Sequence, residues 1–289
     1  MQSFWILAAT FSTAVAYAVM KFVGADCGFY EIFFVRSTYL VLATGVLAAA
    51  SRVSLASAHP WLHLRRVAAG ITALSLNILT VRHLPLATAQ TLAYTAPLFV
   101  AAWAAGASFK RSGRVNGRLM AAVSIGFAGV CLVMRPSSFA GDLLWAALGL
   151  FSGFCSAAVS LTLKRLGQEG EPVVRTVTYF ALGGFLTSGV FTACYGAHSL
   201  ASLFSDPWLM VVGLATVASQ FAQALGWGRG RTLLCASLQF SAVFFAVALG
   251  VALFGEMPDA VSCMGMAVIV VAECAAAYWQ LTRRAESNS

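Results

Sequence analysis

Apolar runs of membrane-spanning length follow one another from end to end of this chain, and that recurrence limits its fold more than any other feature. Stretches such as "LFVAAWAAGA" and "AVIVVAECAAAY" belong to runs of this kind, and about 20 apolar residues suffice for a helix to cross a bilayer. The chain is 60% hydrophobic and 10% charged, against about 25% charge in an ordinary soluble domain. The solvent for most of its surface is therefore lipid. A membrane β-barrel would alternate apolar and polar residues, and these runs do not alternate. The expectation is an all-α polytopic membrane protein. The N-terminal "MQSFWILAATFSTAVAYAVM" lacks the basic start of a signal peptide and reads as the first span.

Loop signals such as "RHLP", "FKRSGRVNGR", "KRLGQEGEP" and "GEMPD" divide the chain into ten expected transmembrane helices. These cover 3–22, 29–50, 64–81, 86–108, 117–134, 141–163, 174–195, 207–227, 232–254 and 259–281. With the N-terminus in the cytoplasm, fourteen of the eighteen Lys and Arg residues fall on the inner side, Arg65 and Arg66 among them. Only Lys21, Arg82 and Arg135 fall outside, and Arg36 lies within the second span. That bias orients both termini to the cytoplasm. It also accounts for the net charge of +8 without a nucleic-acid partner. No CxxC pair or Cys/His cluster is evident in the sequence, so neither a metal, another cofactor nor a disulfide framework is expected.

The chain also repeats itself. "TLAYTAPLFVAAWAAGASFKR" from Thr91 aligns with "SLQFSAVFFAVALGVALFGEM" from Ser237 (237 − 91 = 146), pairing Thr95 with Ser241, Phe99 with Phe245 and Asn77 with Gln223. Nearer the N-terminus the offset is 140, pairing Trp5 with Trp145, Ser12 with Ser152 and Thr38-Tyr39 with Thr178-Tyr179. The fourth span ends in Lys110-Arg111, but its counterpart ends in Glu256 and Asp259. Basic ends stay inside, so this reversal of sign predicts two five-helix repeats, 1–136 and 137–289, inserted in opposite directions. Inverted repeats with a site near the midplane are a mark of secondary transporters.

The "FFVRSTYLVLA" of span two, the "YTAPLFVA" of span four and the "LFGEMP" closing span nine resemble the drug/metabolite transporter superfamily, and within it the EamA-type permeases. The chain is most similar to the YddG-type amino-acid exporters. The resemblance covers nearly the whole chain. It departs where "FKR" in the first half faces "FGE" in the second, and where Val243 matches Pro97. It implies ten helices around a central cavity, in a bacterial inner-membrane exporter of aromatic and other neutral amino acids.

Polar residues inside spans are the candidate binding groups. Gln90, Tyr94 and Pro97 share a face of span four, and a mid-helix Pro97 would free the Ala93 carbonyl. The set reads as a cavity lining or as a structural kink. Gln220, Gln223 and Trp227 share a face of span eight, and Asn77 is the repeat partner of Gln223. These amides suit a zwitterion or serve as interhelical glue. Gln239, Ser241 and Tyr17 complete the candidate substrate-binding residues, with Lys21, Arg36 and Glu273 as possible charge partners.

The histidines lie in or beside loops, and Glu273 is the one acidic residue in mid-span. Without a carboxylate or histidine relay, the expectation is a uniporter or weakly coupled exporter that functions as a monomer by alternating access. The rival is the same fold carrying another metabolite or drug, such as a quaternary ammonium compound or a nucleoside. A lipid-modifying enzyme would need a nucleophile with its base or a metal set, and neither is evident, so no catalytic residue is expected.

Overall fold

A computed structural model describes residues 2–23, 27–84, 89, 92–93, 95–112, 117–134, 143–255 and 257–287. Their regular structure is helical throughout. After a 3-10 turn at Gln2–Phe4 come α1 (Trp5–Val23), α2 (Phe29–Ala50), α3 (Pro60–His83), α4 (Ala96–Ser112), α5 (Gly117–Met134) and α6 (Leu143–Gln168). There follow α7 (Val173–Tyr195), the short α8 (Leu200–Ser205), α9 (Pro207–Arg229), α10 (Thr232–Leu238), α11 (Ser241–Phe254) and α12 (Ala260–Ser287). Proline opens α3 and α9, at a position where its missing N–H removes no helical bond. Asp206 caps α9 by accepting from the Trp208 N–H at 2.7 Å, and Gly255 ends α11 at φ 65, a left-handed turn that glycine adopts without strain.

Seven stretches among the described residues are long and apolar enough to span a bilayer: Gln2–Val23, α2, α3, α6, α7, α9 and Leu234–Phe254. The chain is thus a multi-pass membrane protein. The other three expected spans fall on α4, α5 and α12. The third begins four residues earlier than expected, at Pro60, and the sixth runs on to Gln168. Arg65 and Arg66, expected in the first turn of the span, thus lie more than a turn into the helix.

Helix pairing has a regular pattern. α1 packs along α9 and α3 along α6, while α2 lies on α7 and α5 on α12. Lesser contacts join α2 to α9 and α3 to α7, and likewise α1 to α11 and α4 to α6. Lipid gives helices no hydrophobic reason to associate, so close backbone approach and polar contacts must hold them. Gly153 on α6 supplies one such approach. A Cβ there would stand 2.8 Å from the Leu92 carbonyl oxygen and would clash with Thr95 Oγ1.

The fourth and ninth expected spans are both interrupted. Thr95 forms a turn between Leu92-Ala93 and the start of α4, and Leu98 N–H donates to its carbonyl at 2.9 Å. Gln239 and Phe240 form the matching turn between α10 and α11, where Val243 N–H donates to the Phe240 carbonyl at 3.0 Å. At each turn a hydroxyl donates to the carbonyl three residues back: Thr95 Oγ1 to Leu92 at 2.7 Å, and Ser241 Oγ to Leu238 at 2.6 Å. The two bonds are 146 residues apart in sequence (241 − 95 = 146). This corrects the reading of Pro97 as a mid-helix kink. Pro97 occupies the first turn of α4, where it breaks no i to i−4 bond, and the ninth span turns without any proline.

Candidate functional site

A cavity of about 100 Å³ lies among α1, α2, α3, α6, α7 and α9, next to both interrupted spans. α1 contributes Thr10, Thr13 and Tyr17, α3 contributes Asn77, and α9 contributes Gln220, Gln223 and Trp227. Arg36, Arg66, Ala93, Ser156 and Gln239 also line it. Six of the expected binding residues thus meet at one cavity: Tyr17, Asn77, Gln220, Gln223, Trp227 and Gln239. They come from elements far apart in the chain.

The rest divide. Ser241 sits just behind the wall, its Oγ 3.0 Å from that of Thr10. Pro97 is buried but is not part of the lining. Gln90 and Tyr94 lie outside the described residues, and so does the side chain of Glu273. Of the possible charge partners, Arg36 lines the cavity, whereas the Lys21 ammonium lies over the Phe254 ring at 5.0 Å.

Arg66 is the residue that the positive-inside count misassigned. It is 2% exposed and lines the cavity, so it is not one of the exposed basic groups at a span's end. Its Nη2 donates to Gln220 Oε1 at 2.8 Å, and its guanidinium stands 4.2 Å from the Phe180 ring centre. Gly70 makes the room for it, since a Cβ there would come within 2.6 Å of Arg66 Nη1 and 2.7 Å of Phe180. The signal was in the spacing: His63, Arg66, Gly70 and Asn77 fall on one helical face, with Asn77 already a candidate.

The polar lining is partly connected. Asn77 Nδ2 donates to Tyr17 Oη at 3.3 Å, and Ser152 Oγ donates to Asn77 Oδ1 at 3.0 Å. The Arg36 guanidinium stands beside Tyr17. Four buried polar atoms of the lining have no hydrogen-bond partner among the described residues: Arg36 Nη1, Arg66 Nε, Trp227 Nε1 and Gln239 Oε1. Leaving a buried polar group unpaired costs about 1–3 kcal/mol, more for a charged one. The described lining holds two arginines and no carboxylate or histidine.

Two buried glutamates fasten the ends of the bundle. Near the N-terminal end, Glu171 of the α6–α7 connection accepts from Ser57 Oγ and from Arg175 Nη1 at 2.7 Å, with His63 Nε2 at 3.6 Å. Arg175 and Tyr179 also donate to the Ser54 and Leu55 carbonyls, at 2.7 and 3.0 Å. Burial pushes the Glu171 carboxyl up, but the hydrogen bonds from Ser57 and Arg175 and the neighbouring charges outweigh it and hold the group below its ordinary range.

At the opposite end Glu31 accepts from the Gly28 N–H at 2.6 Å, from the Ala197 and His198 N–H groups at 2.8 Å, and lies 3.1 Å from His198 Nδ1. The ligand atoms of Cys27, Glu31 and His198 lie within 4.8 Å of one another, a spatial trio that no sequence spacing announced. Both Glu31 oxygens already accept N–H groups, so the trio reads as a clasp.

No family model matches the chain. It is 25% identical over 264 residues to the pseudopaline exporter CntI of Pseudomonas aeruginosa, across 91% of each protein. It is 26% identical over 221 residues to the riboflavin transporter of Rhizobium johnstonii, covering 74% of this chain and 69% of that one. A solved crystal structure matches with a TM-score of 0.72 and 18% identity, over 94% of this chain and 98% of the other, a likeness of fold. The relatives named for a function are thus transporters of small molecules.

Proposed function

We propose that this chain exports amino acids or close derivatives of them across a bacterial inner membrane by alternating access, with the central cavity as the binding site. The observation that carries the reading is the convergence of Tyr17, Asn77, Gln220, Gln223, Trp227 and Gln239 on one buried cavity. Two transporter relatives that align along most of the chain support it.

The inverted duplication into 1–136 and 137–289 belongs to the same proposal. It draws support from the helix pairing, in which exchanging the halves turns α1–α9 into α6–α3 and leaves α2–α7 and α5–α12 as they are. The matched turns at Thr95 and Ser241 support it too. So do the edge-on ring pairs of Phe99 with Phe154 and Phe245 with Phe11, at 5.6 and 5.3 Å. With both termini cytoplasmic, the Glu171 clasp faces inward and the Glu31 clasp outward. Rocking one half against the other opens one clasp while the other stays shut, and a monomer suffices for this.

The riboflavin-transporter relative motivates a second reading in which the cargo is a larger ring compound. The buried arginines favour an acid-bearing cargo over that one. Purified protein in proteoliposomes, preloaded with unlabelled amino acid and with no pH gradient, should exchange labelled amino acid by counterflow. Exchange that demands a pH gradient would overturn the uncoupled mechanism, and no exchange of any amino acid would overturn the cargo assignment.

A further inference from the structure

We infer that the preferred cargo is an α-amino dicarboxylate, a solute with an acid at each end and an amine, rather than a neutral amino acid. The inference rests on the export reading and narrows it. Its basis is the set of buried polar atoms left unpartnered around the cavity, because an empty binding site keeps unpaired the groups that its ligand would pair.

Three of those atoms donate, Arg36 Nη1, Arg66 Nε and Trp227 Nε1, and one accepts, Gln239 Oε1. Among the described residues no carboxylate lies within 4.0 Å of either guanidinium. The buried acid nearest Arg36 in sequence, Glu31, is engaged by backbone N–H groups and His198. Among the described residues, these two cations of one membrane-embedded cavity have Tyr17, Gln220 and an aromatic face beside them and no acid. Unpaired charge at such depth is costly and marks a substrate path. The partner that balances two guanidinium groups is two carboxylates.

Their placement sets the direction along which those acids lie. Arg36 lies seven residues into α2 and Arg66 six into α3. The two helices start from opposite ends of the bundle, so at 1.5 Å per residue their Cα atoms differ in depth by about 15 Å. The Arg66 side chain reaches one turn up α3, to the level of Gly70, so the two arginines come to the cavity from its two ends, and a solute lying along it with an acid at each end gives each guanidinium a partner of its own. Gln239, on the turn of the ninth span between these levels, offers the carbonyl oxygen that an ammonium or N–H group needs. A neutral amino acid offers a single carboxylate to the two guanidinium groups.

The test is counterflow into proteoliposomes with a labelled panel: glutamate, α-aminopimelate, pimelate, leucine and phenylalanine. One charge-assisted hydrogen-bonded pair is worth about 1.5–3 kcal/mol, which corresponds to roughly tenfold to a hundredfold. Wild-type protein should exchange α-aminopimelate and glutamate at least about tenfold faster than leucine or phenylalanine. Pimelate, which lacks the amine, should fall between. Arg66→Gln and Arg36→Gln should each erase the advantage of the diacids. Leucine or phenylalanine exchanging as fast as the diacids would overturn the inference while leaving the export reading intact. Exchange of no panel member would overturn both, a result distinct from the first. Because the comparison among solutes is made on the wild-type protein, it does not depend on the folding of either variant.

Discussion

Glu31 and Glu171 are buried carboxylates at opposite ends of the bundle, and each fastens the start of one helix to a connection elsewhere in the chain. Glu31 holds the segment 197–198, and Glu171 holds the segment 54–57 through Ser57 and Arg175. They stand 140 residues apart (171 − 31 = 140), the same offset that pairs Thr38 with Thr178, whose hydroxyls both donate to the carbonyl four residues back. Disulfide trapping across the Glu171 clasp tests its role. Ser57→Cys combined with Glu171→Cys should, once oxidised, slow counterflow by about tenfold or more, and a reductant should restore it. Undiminished exchange by the oxidised protein would remove the clasp from the transport cycle.

The clasp at Glu171 should also respond to acid. A carboxylate held below its ordinary pKa contributes stability that is complete above the unfolded value and fades as pH falls through the folded one. The contribution of this group to the thermal midpoint in detergent should therefore be complete and independent of pH near neutrality, and should fade as pH falls below the ordinary carboxylate range. Glu171→Gln should lower the neutral-pH midpoint, by the equivalent of about 2 kcal/mol, and should flatten the acid dependence. An acid limb identical in wild type and variant would contradict this assignment.

Pro97 should matter less than Thr95. The proline sits in the first turn of α4, and the ninth span turns at Gln239-Phe240 with a valine in the equivalent place. Pro97→Ala is expected to keep counterflow within about twofold of wild type. Thr95→Val, which deletes the bond to the Leu92 carbonyl while keeping the shape, should cost about 1 kcal/mol of stability. The reverse order of effects would reinstate the proline as the cause of the turn.

Gly153 permits the approach of α6 to that turn. Gly153→Val forces contact with the Leu92 carbonyl oxygen and Thr95, and overpacking of this kind costs about 1–3 kcal/mol. A lowered thermal midpoint is expected, and an unchanged one would mean that α6 and the turn are not in register as described.

Unpartnered polar atoms at the cavity predict a trade of stability against function. Gln239→Met removes an orphaned buried carbonyl while keeping the side-chain size, so the empty protein should gain about 1 kcal/mol or more. Counterflow of an amine-bearing solute should fall at the same time. A variant both less stable and fully active would contradict the assignment of Gln239 to the cargo.

Much of this was legible in the amino-acid order because lipid imposes a simple rule on composition: apolar stretches span and basic connections stay inside. Six cavity residues were legible for a related reason, since an amide or phenol in a span stands out where almost nothing else is polar. Arg66 was hidden by its neighbours. It follows Arg65 in "HLRR" and reads as half of a basic pair at the inner end of the span, but successive helical residues point about 100° apart. Arg65 faces out while Arg66 faces the cavity. The break in the ninth span was hidden because no proline marks it, only a hydroxyl that bonds backward to Leu238. The clasps escaped notice because each joins residues more than a hundred positions apart, and nothing local records such a contact.

Alternating access is most directly tested by measuring both ends of the bundle in the same preparation. Spin labels at Ala58 and Glu169 report the Glu171 clasp, and labels at Tyr30 and Leu200 report the Glu31 clasp. Saturating α-aminopimelate should shift the two distance distributions in opposite directions, one pair lengthening as the other shortens. Both pairs lengthening together, or neither responding to a solute that the protein is shown to exchange, would contradict the account.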